Sequence, residues 1–201
     1  MDEPITYFTI NSNGEGFYKE KGSKFYAHAY PVNTEKEVKE KLEALRKKYF
    51  DARHYCYAFR LGLNNQQVRA NDDGEPSHSA GDPILGQIRS NELTDVLVVV
   101  VRYFGGIKLG VGGLIHAYKT AAKDALKELE RTEVFLKSFF EIKYSYEQTP
   151  KIEKFIQSFQ LYDVERKYEA HCVIRASIRM EFKEQMQYEA VDNQLSINWL
   201  D

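Results

Sequence analysis

Alternation of apolar and polar residues predicts several strands in the first part of the chain. In residues 25–30 the apolar residues Phe25, Ala27 and Ala29 alternate with Tyr26, His28 and Tyr30, which is the period-2 pattern of a strand. Pro31 ends the pattern. Residues 53–61, rich in Tyr, Phe, Cys and Ala, predict a second strand. A turn over Leu63–Gln66 and a further strand near Val68 follow.

Three segments of the same part predict helices. Thr34 and Glu37 form a capping-box signal in front of apolar residues at helical spacing. Residues 84–88 predict a short helix, and apolar residues three and four apart from Leu114 onward predict a long one that ends near Arg131.

Between these helices lie a buried strand and two segments rich in turn-forming residues. Val96–Val101 is apolar at every position, which is typical of a central strand covered on both faces. Residues 71–83 concentrate Asn, Asp, Gly, Pro and Ser and predict a long loop, a feature that is often functional. Residues 105–113 contain five glycines and predict a turn between the strand and the long helix.

The second part of the chain has a different order of predicted strands and helices, which predicts a separate domain. We place the boundary near residue 135, which gives domains 1–134 and 135–201. The order strand, helix, strand, strand, helix, strand matches the ferredoxin-like split βαβ unit. The predicted segments are, in order, 138–146, 151–159, 161–169, 171–180, 183–191 and 195–200.

Composition places the chain among ordinary globular proteins and limits the classes of function. It has 201 residues, 43% hydrophobic, with 28 Lys and Arg against 30 Asp and Glu. A net charge of −2 argues against a protein that coats nucleic acid through a global basic field, so RNA contact requires a local patch. The acidic amino terminus lacks a signal-peptide pattern and the two cysteines lie far apart, so we expect a soluble, cytoplasmic, reduced protein.

The glycine-rich segment is the most informative local feature for binding. Gly105, Gly106, Gly110, Gly112 and Gly113 follow a buried strand and precede a helix, so free amides and the helix dipole favour an anion there. The segment fits neither the Walker nor the Rossmann glycine spacing, which excludes a nucleotide-binding fingerprint. A tight turn that packs the helix closely against the sheet is the structural alternative.

Basic and aromatic side chains lie beside this segment. Arg102, Tyr103, Phe104 and Lys108 combine the groups that hold phosphates and stack on bases. Packing of the two rings against the core is the alternative, and Arg102 is equally suited to pair with an acidic residue of the loop that begins at Asp72.

The loop Asp72-Asp73-Gly74-Glu75-Pro76 is the second candidate for chemistry. Its three carboxylates suit acid–base catalysis or act simply as turn formers, and their spacing differs from that of a calcium loop. His54 and Lys24 are further candidates to line a site. His54 and Cys56 are too few ligands for a metal, so we expect neither metal nor cofactor.

Along nearly its whole length the chain resembles the YigZ/IMPACT family. The longest shared motif runs from Gly81 through Val99-Val100 to Gly110 and includes Arg102-Tyr103-Phe104-Gly105-Gly106. One departure is His78-Ser79, where bacterial members usually have Gly-Thr or Ser-Thr. The supporting motifs, in the family's order, are Lys21-Gly22-Ser23-Lys24-Phe25, His54-x-Cys56-x-Ala58 and Asp72-Asp73-Gly74-Glu75-Pro76.

The resemblance implies a fold and a setting. It implies an α+β first domain related to domain IV of elongation factor G and a second domain like that factor's ferredoxin-like domain V. It also implies a role in translation, because the eukaryotic member modulates a starvation-sensing kinase pathway of translational control through protein contacts. It carries over no catalytic residue.

We therefore expect a protein without chemistry of its own that binds RNA, the ribosome or a translation-associated protein, with no membrane contact and no DNA specificity. Two alternatives stay open. One is an enzyme that acts on a phosphorylated or anionic small molecule through the loop Asp72–Pro76 and the glycine turn. The other is a pure protein-interaction module. The sequence leaves the oligomeric state open.

Overall fold

The computed structural model describes residues 6–63, 67–169 and 171–200, which divide into two compact units between Val134 and Phe135. The acidic amino terminus and most of the predicted turn at Leu63–Gln66 lie outside the described residues. No helix among the described residues is long and apolar enough to cross a membrane.

The first unit is a five-stranded antiparallel sheet with helices on both faces. The strand order is β2-β3-β6-β4-β5, and a separate two-stranded sheet pairs β1 with β7. The strands are β1 (Thr6–Ile10), β2 (Gly14–Glu20), β3 (Ser23–Pro31), β4 (His54–Leu61), β5 (Gln67–Asn71), β6 (Val96–Tyr103) and β7 (Arg131–Phe135). The helices are α1 (Glu35–Lys48), α2 (Gly81–Ser90) and α3 (Gly110–Leu126).

Strand β6 lies at the centre of this sheet because its side chains are buried on both faces. Val96, Val98 and Val100 pack with α2 and α3, while the alternate residues Leu97 and Val99 pack on the face that α1 covers. The uniform apolar pattern of Val96–Val101 therefore corresponds to a central strand, as predicted.

Helix α1 begins where the sequence predicts. Thr34 is its N-cap, and the Thr34 hydroxyl accepts a hydrogen bond from the amide of Glu37 at 3.2 Å. The carboxylate of Glu37 accepts from the amide of Asn33 instead of that of Thr34, so the reciprocal bond of a capping box is displaced by one residue.

Three local predictions for the first unit differ from the structure. Helix α3 starts at Gly110, so three of the five glycines lie in its first turn, and it ends at Leu126 instead of near Arg131. Helix α2 starts at Gly81 and shortens the predicted loop. Strands β1, β2 and β7 carry no alternation strong enough to predict them.

The second unit has the predicted ferredoxin-like order of elements. Its antiparallel sheet has the order β11-β8-β10-β9, so β10 lies between the two strands that α4 connects, which is a split βαβ arrangement. The α+β fold class is thus confirmed. The elements are β8 (Lys137–Tyr144), α4 (Thr149–Ile156), β9 (Tyr162–Tyr168), β10 (Cys172–Arg179), α5 (Lys183–Asp192) and β11 (Asn198–Trp199).

Candidate functional site

A cavity of about 390 Å³ lies at the amino-terminal end of α3, and we call it the α3 cavity. It joins three segments that are distant in sequence: the acidic loop, the end of β6 and the start of α3. Its lining residues are Glu75, Pro76, Arg102, Phe104, Lys108, Leu109, Gly110, Val111 and Leu114. The structure therefore brings much of the glycine-rich segment and one end of the acidic loop to one place.

A buried ion pair joins the acidic loop to β6. Nη1 of Arg102 donates to Oε1 of Glu75 at 2.6 Å, and the two side chains are only 7% and 4% exposed. The hydroxyl of Tyr118 donates to the same Oε1 at 2.8 Å. Arg102 thus takes the bracing role that the sequence left open as its alternative.

The guanidinium of Arg102 is enclosed on two sides by rings. It lies over Phe25, at 5.5 Å from the ring centre, and over Phe104, at 5.7 Å. Its Nε is buried and has no hydrogen-bond partner among the described residues. Arg102 therefore lines the cavity and also carries one buried donor that the described part of the chain does not satisfy.

The other two carboxylates of the loop hold its backbone in place. Asp72 accepts from the amides of His78, Ala80 and Gly81 at 2.8–2.9 Å. Burial alone would raise the pKa of Asp72, but these amide hydrogen bonds outweigh it and lower the pKa below its usual range. Asp73 accepts from the amide of Tyr55 at 2.7 Å. These contacts make the acidic loop a braced structure around the ion pair.

A thiol and a phenol lie behind the ion pair. Sγ of Cys56 is 3.3 Å from the hydroxyl of Tyr118 and 3.0 Å from the carbonyl oxygen of Asp72. Burial is the main cause that raises the pKa of both Cys56 and Tyr118, so both are neutral at pH 7. A neutral thiol is a poor nucleophile, and the pair acts here as part of the hydrogen-bonded support of Glu75.

The first turn of α3, beside the cavity, has no side-chain cap. Its N-cap, Leu109, offers no side-chain hydrogen bond, and the first turn contains no acidic residue. A Cβ added at Gly110 or Gly112 would meet nothing within 4 Å, so the space over this turn is open. Lys108 is exposed beside it, and the Phe104 side chain is 55% exposed.

Other predicted residues lie away from the α3 cavity. Tyr103 projects from the other face of β6 and donates to Asp51 at 2.6 Å, and Lys24 lines the same side. This hydrogen bond, followed by burial, raises the pKa of Tyr103 to about 12. His54 contacts the carbonyl oxygen of Asp73 through Nδ1 at 2.9 Å. Gly105 packs against the backbone of Gly22.

Sequence reasoning missed the apolar wall of the cavity and the residue that supports the ion pair. Leu109, Val111 and Leu114 form the wall, and the helical spacing from Leu114 onward marks Tyr118 only as one buried position of the long helix. Leu114 and Tyr118 are four residues apart on a helix, a spacing that places Tyr118 on the same face of α3 as Leu114. Among the described residues, no group of three or more His, Cys, Asp or Glu is placed to hold a metal.

Comparison with known proteins gives a consistent result. The model of the Impact N-terminal domain matches residues 21–126. IMPACT family member YvyE of Bacillus subtilis is 38% identical over 155 residues, covering 77% of this chain and 71% of that protein. Human Protein IMPACT is 36% identical over 115 residues, 55% of this chain but only 35% of its own length. A crystal structure described as a hypothetical protein covers 98% of this chain and 97% of its own, at 26% identity and a TM-score of 0.69.

Proposed function

This chain belongs to the IMPACT family, and from that premise we propose that it binds RNA of the translation machinery through the α3 cavity. Translation is the setting that the family resemblance implies. The α3 cavity supplies the chemistry for a phosphate-bearing partner. The observation that carries the proposal is the open, uncapped first turn of α3.

An anion is the ligand that this turn favours. The amides of the first turn of a helix point outward with no intrahelical acceptor, and the helix dipole adds a partial positive charge. Gly110 and Gly112 place no side chain over these amides. Lys108 adds a full positive charge at the same edge, and its side chain is free to follow a phosphate because it is exposed.

An aromatic side chain beside a phosphate site favours RNA over a small inorganic anion. Phe104 is about half exposed although it lies next to the enclosed guanidinium of Arg102. An exposed ring at the edge of a basic site is the arrangement on which unpaired bases stack. Because Glu75 compensates Arg102, Lys108 and the first-turn amides provide the local positive charge that a chain of net charge −2 lacks overall.

Titration of binding against salt tests the proposal. We expect fluorescein-labelled 12-nucleotide homopolymers and purified bacterial ribosomes to bind with an affinity that falls as salt rises. Lys108→Ala should weaken binding and reduce the magnitude of the salt slope by about one unit. Lys119→Ala removes an exposed lysine of α3 that does not line the cavity, and it serves as the matched control.

A second pair of variants tests the open turn itself. Gly112→Val places a branched side chain over the amides and should weaken binding. Gly86→Val makes the same change at an exposed, equally open position of α2 and should leave binding unchanged. Unchanged affinity in Lys108→Ala and Gly112→Val would refute the proposed site. Turnover of a phosphorylated metabolite, or salt-sensitive binding only to an acidic protein, would favour the two alternatives left open by the sequence.

A further inference from the structure

A second surface of the first unit carries a row of aromatic side chains next to the α3 cavity. One cavity of about 270 Å³ contains Phe17, Tyr26, His28 and Tyr49, and another of about 330 Å³ contains Tyr26, Tyr49, Tyr103, Phe104 and Lys24. The two cavities share Tyr26 and Tyr49, so they form one depression. We call it the aromatic groove.

The pairing of β2 with β3 explains why these residues share a face. Phe17 lies opposite Tyr26 in the register, and Lys19 lies opposite Lys24. Directly paired residues of neighbouring strands project to the same side of a sheet. Tyr26 and Tyr103 are half-buried against the α1 side of the sheet, while Phe17, on the outermost strand, is 47% exposed.

The groove and the α3 cavity lie on opposite faces of the sheet and border on one ring, that of Phe104. Phe104 lines both the α3 cavity and the nearer half of the aromatic groove. A ligand that leaves the first turn of α3 past Phe104 therefore enters the groove beside Lys24 and Tyr103. From Lys24 to His28 the groove follows β3 for about 13 Å, at about 3.3 Å of rise per residue.

Side chains of both charges border the groove, and its free positive charges are lysines. Lys19 and Lys24 are exposed at its edge, and neither has an ion-pair partner among the described residues. Three acidic residues also line the groove, and each has a hydrogen-bond or ion-pair partner. Asp124 accepts from the amide of Phe17 at 3.0 Å. Glu15 lies 3.6 Å from Nζ of Lys48 and 3.3 Å from Nδ1 of His28, and Asp51 accepts the hydroxyl hydrogen of Tyr103.

We propose that the aromatic groove seats the bases of a short single-stranded RNA segment whose phosphate lies at the first turn of α3. This inference rests on the proposed function and names the form of RNA that the site takes. Half-exposed rings on a sheet surface, edged by lysines, stack on unpaired bases without reading their sequence. A duplex keeps its bases stacked inside the helix and leaves none for these rings.

Removal of one exposed ring tests the groove without touching the α3 cavity. Phe17→Ala should weaken binding of the labelled 12-nucleotide homopolymers roughly five- to a hundredfold, the usual effect of losing one stacked base. Phe50→Ala is the matched control, because Phe50 is 84% exposed and lines neither cavity. Circular dichroism of both variants confirms that the fold is kept.

The chemical form of the probe supplies a second measurement. Wild-type protein should prefer a single-stranded oligomer to an abasic ribose-phosphate oligomer of the same length and to a duplex. Phe17→Ala should reduce the preference over the abasic oligomer by the contribution of one stacked base. The groove inference falls if Phe17→Ala binds the oligomer as tightly as the wild type does and the wild type binds the abasic oligomer as tightly as the base-bearing one. If Lys108→Ala binds weakly in the same experiment, the proposed function stands. If Phe17→Ala binds weakly while Lys108→Ala and Gly112→Val are unchanged, the proposed site at α3 falls instead. Absence of binding to all four homopolymers would overturn the groove inference.

Discussion

Neutralising Glu75 tests whether the buried ion pair holds the acidic loop on β6. Glu75→Gln keeps an oxygen that accepts from Tyr118 and Arg102 but removes the charge, so the guanidinium of Arg102 is left buried without compensation. Both side chains are less than a tenth exposed, and breaking a buried pair on one side costs about 3–5 kcal/mol. For a unit of this size, that loss lowers Tm by roughly 10–20 °C.

The assay follows each unit with its own signal. Trp199 is the single tryptophan of the chain and lies in the second unit, so its fluorescence reports that unit, while far-ultraviolet circular dichroism reports both. The unfolding transition of the first unit in urea is the one that circular dichroism shows and Trp199 fluorescence does not. Its midpoint should move to a lower urea concentration in Glu75→Gln. Glu40→Gln removes one partner of an exposed pair with Lys36 and should cost less than about 1 kcal/mol.

A double variant separates the ion pair from other effects of the substitution. Glu75→Gln combined with Arg102→Met leaves neither charge buried, so it should recover much of the stability that Glu75→Gln alone loses. A loss of unfolding free energy below about 1 kcal/mol in Glu75→Gln would refute the reasoning, because removing one partner of an exposed ion pair costs up to that amount. The free-energy loss of the double variant should be smaller than the summed losses of Glu75→Gln and Arg102→Met. A larger loss would contradict the idea that a lone buried charge is what destabilises Glu75→Gln.

Three further predictions concern other parts of the first unit. Burial, followed by the charge of Lys48, lowers the pKa of His28. The unfolded state therefore binds the extra proton more readily, and stability should fall as pH drops through about 6.5. Urea unfolding at pH 5.5 and 7.5 should show a smaller difference in unfolding free energy for His28→Gln than for the wild type. Gly105→Ala places a Cβ 1.9 Å from the carbonyl carbon of Gly22 and should cost about 3 kcal/mol in thermal unfolding. Gly112→Ala has open space around it and should change stability by no more than about 1 kcal/mol. Equal effects of the two substitutions would contradict the close approach of Gly105 and Gly22. Residues 1–134 expressed alone should unfold cooperatively, because their hydrophobic clusters contain no residue of the second unit, and a non-cooperative melt would contradict the proposed domain division.

Local sequence determined those elements whose burial pattern is regular. Val96–Val101 could be read as a central strand because a strand covered on both faces must be apolar at every position. The start of α1 followed from Thr34, since a capping hydroxyl acts within three residues. The ferredoxin-like order of the second unit followed from alternation and spacing in the same way.

Strand β2 escaped prediction because a long-range contact governs its residues. Helix α3 packs directly on the backbone of β2, and a Cβ at Gly16 would come within 2.4 Å of the amide nitrogen of Ala125. The glycines that this approach requires interrupt the alternation that identifies a strand. The start of α3 was misplaced for a related reason, because glycines typical of a turn here leave an open first helical turn.

The candidate site depends most on tertiary structure. The sequence identified Arg102 and Glu75 as candidates, but only the packing of β6 against the acidic loop decided that the two form a pair, 27 residues apart, supported by Tyr118. The rings of Phe17 and Tyr26 become neighbours through strand register, and Tyr49 joins them from the end of α1. Periodicity encodes which face of an element is buried, whereas the partner that covers or shares that face depends on the path of the whole chain.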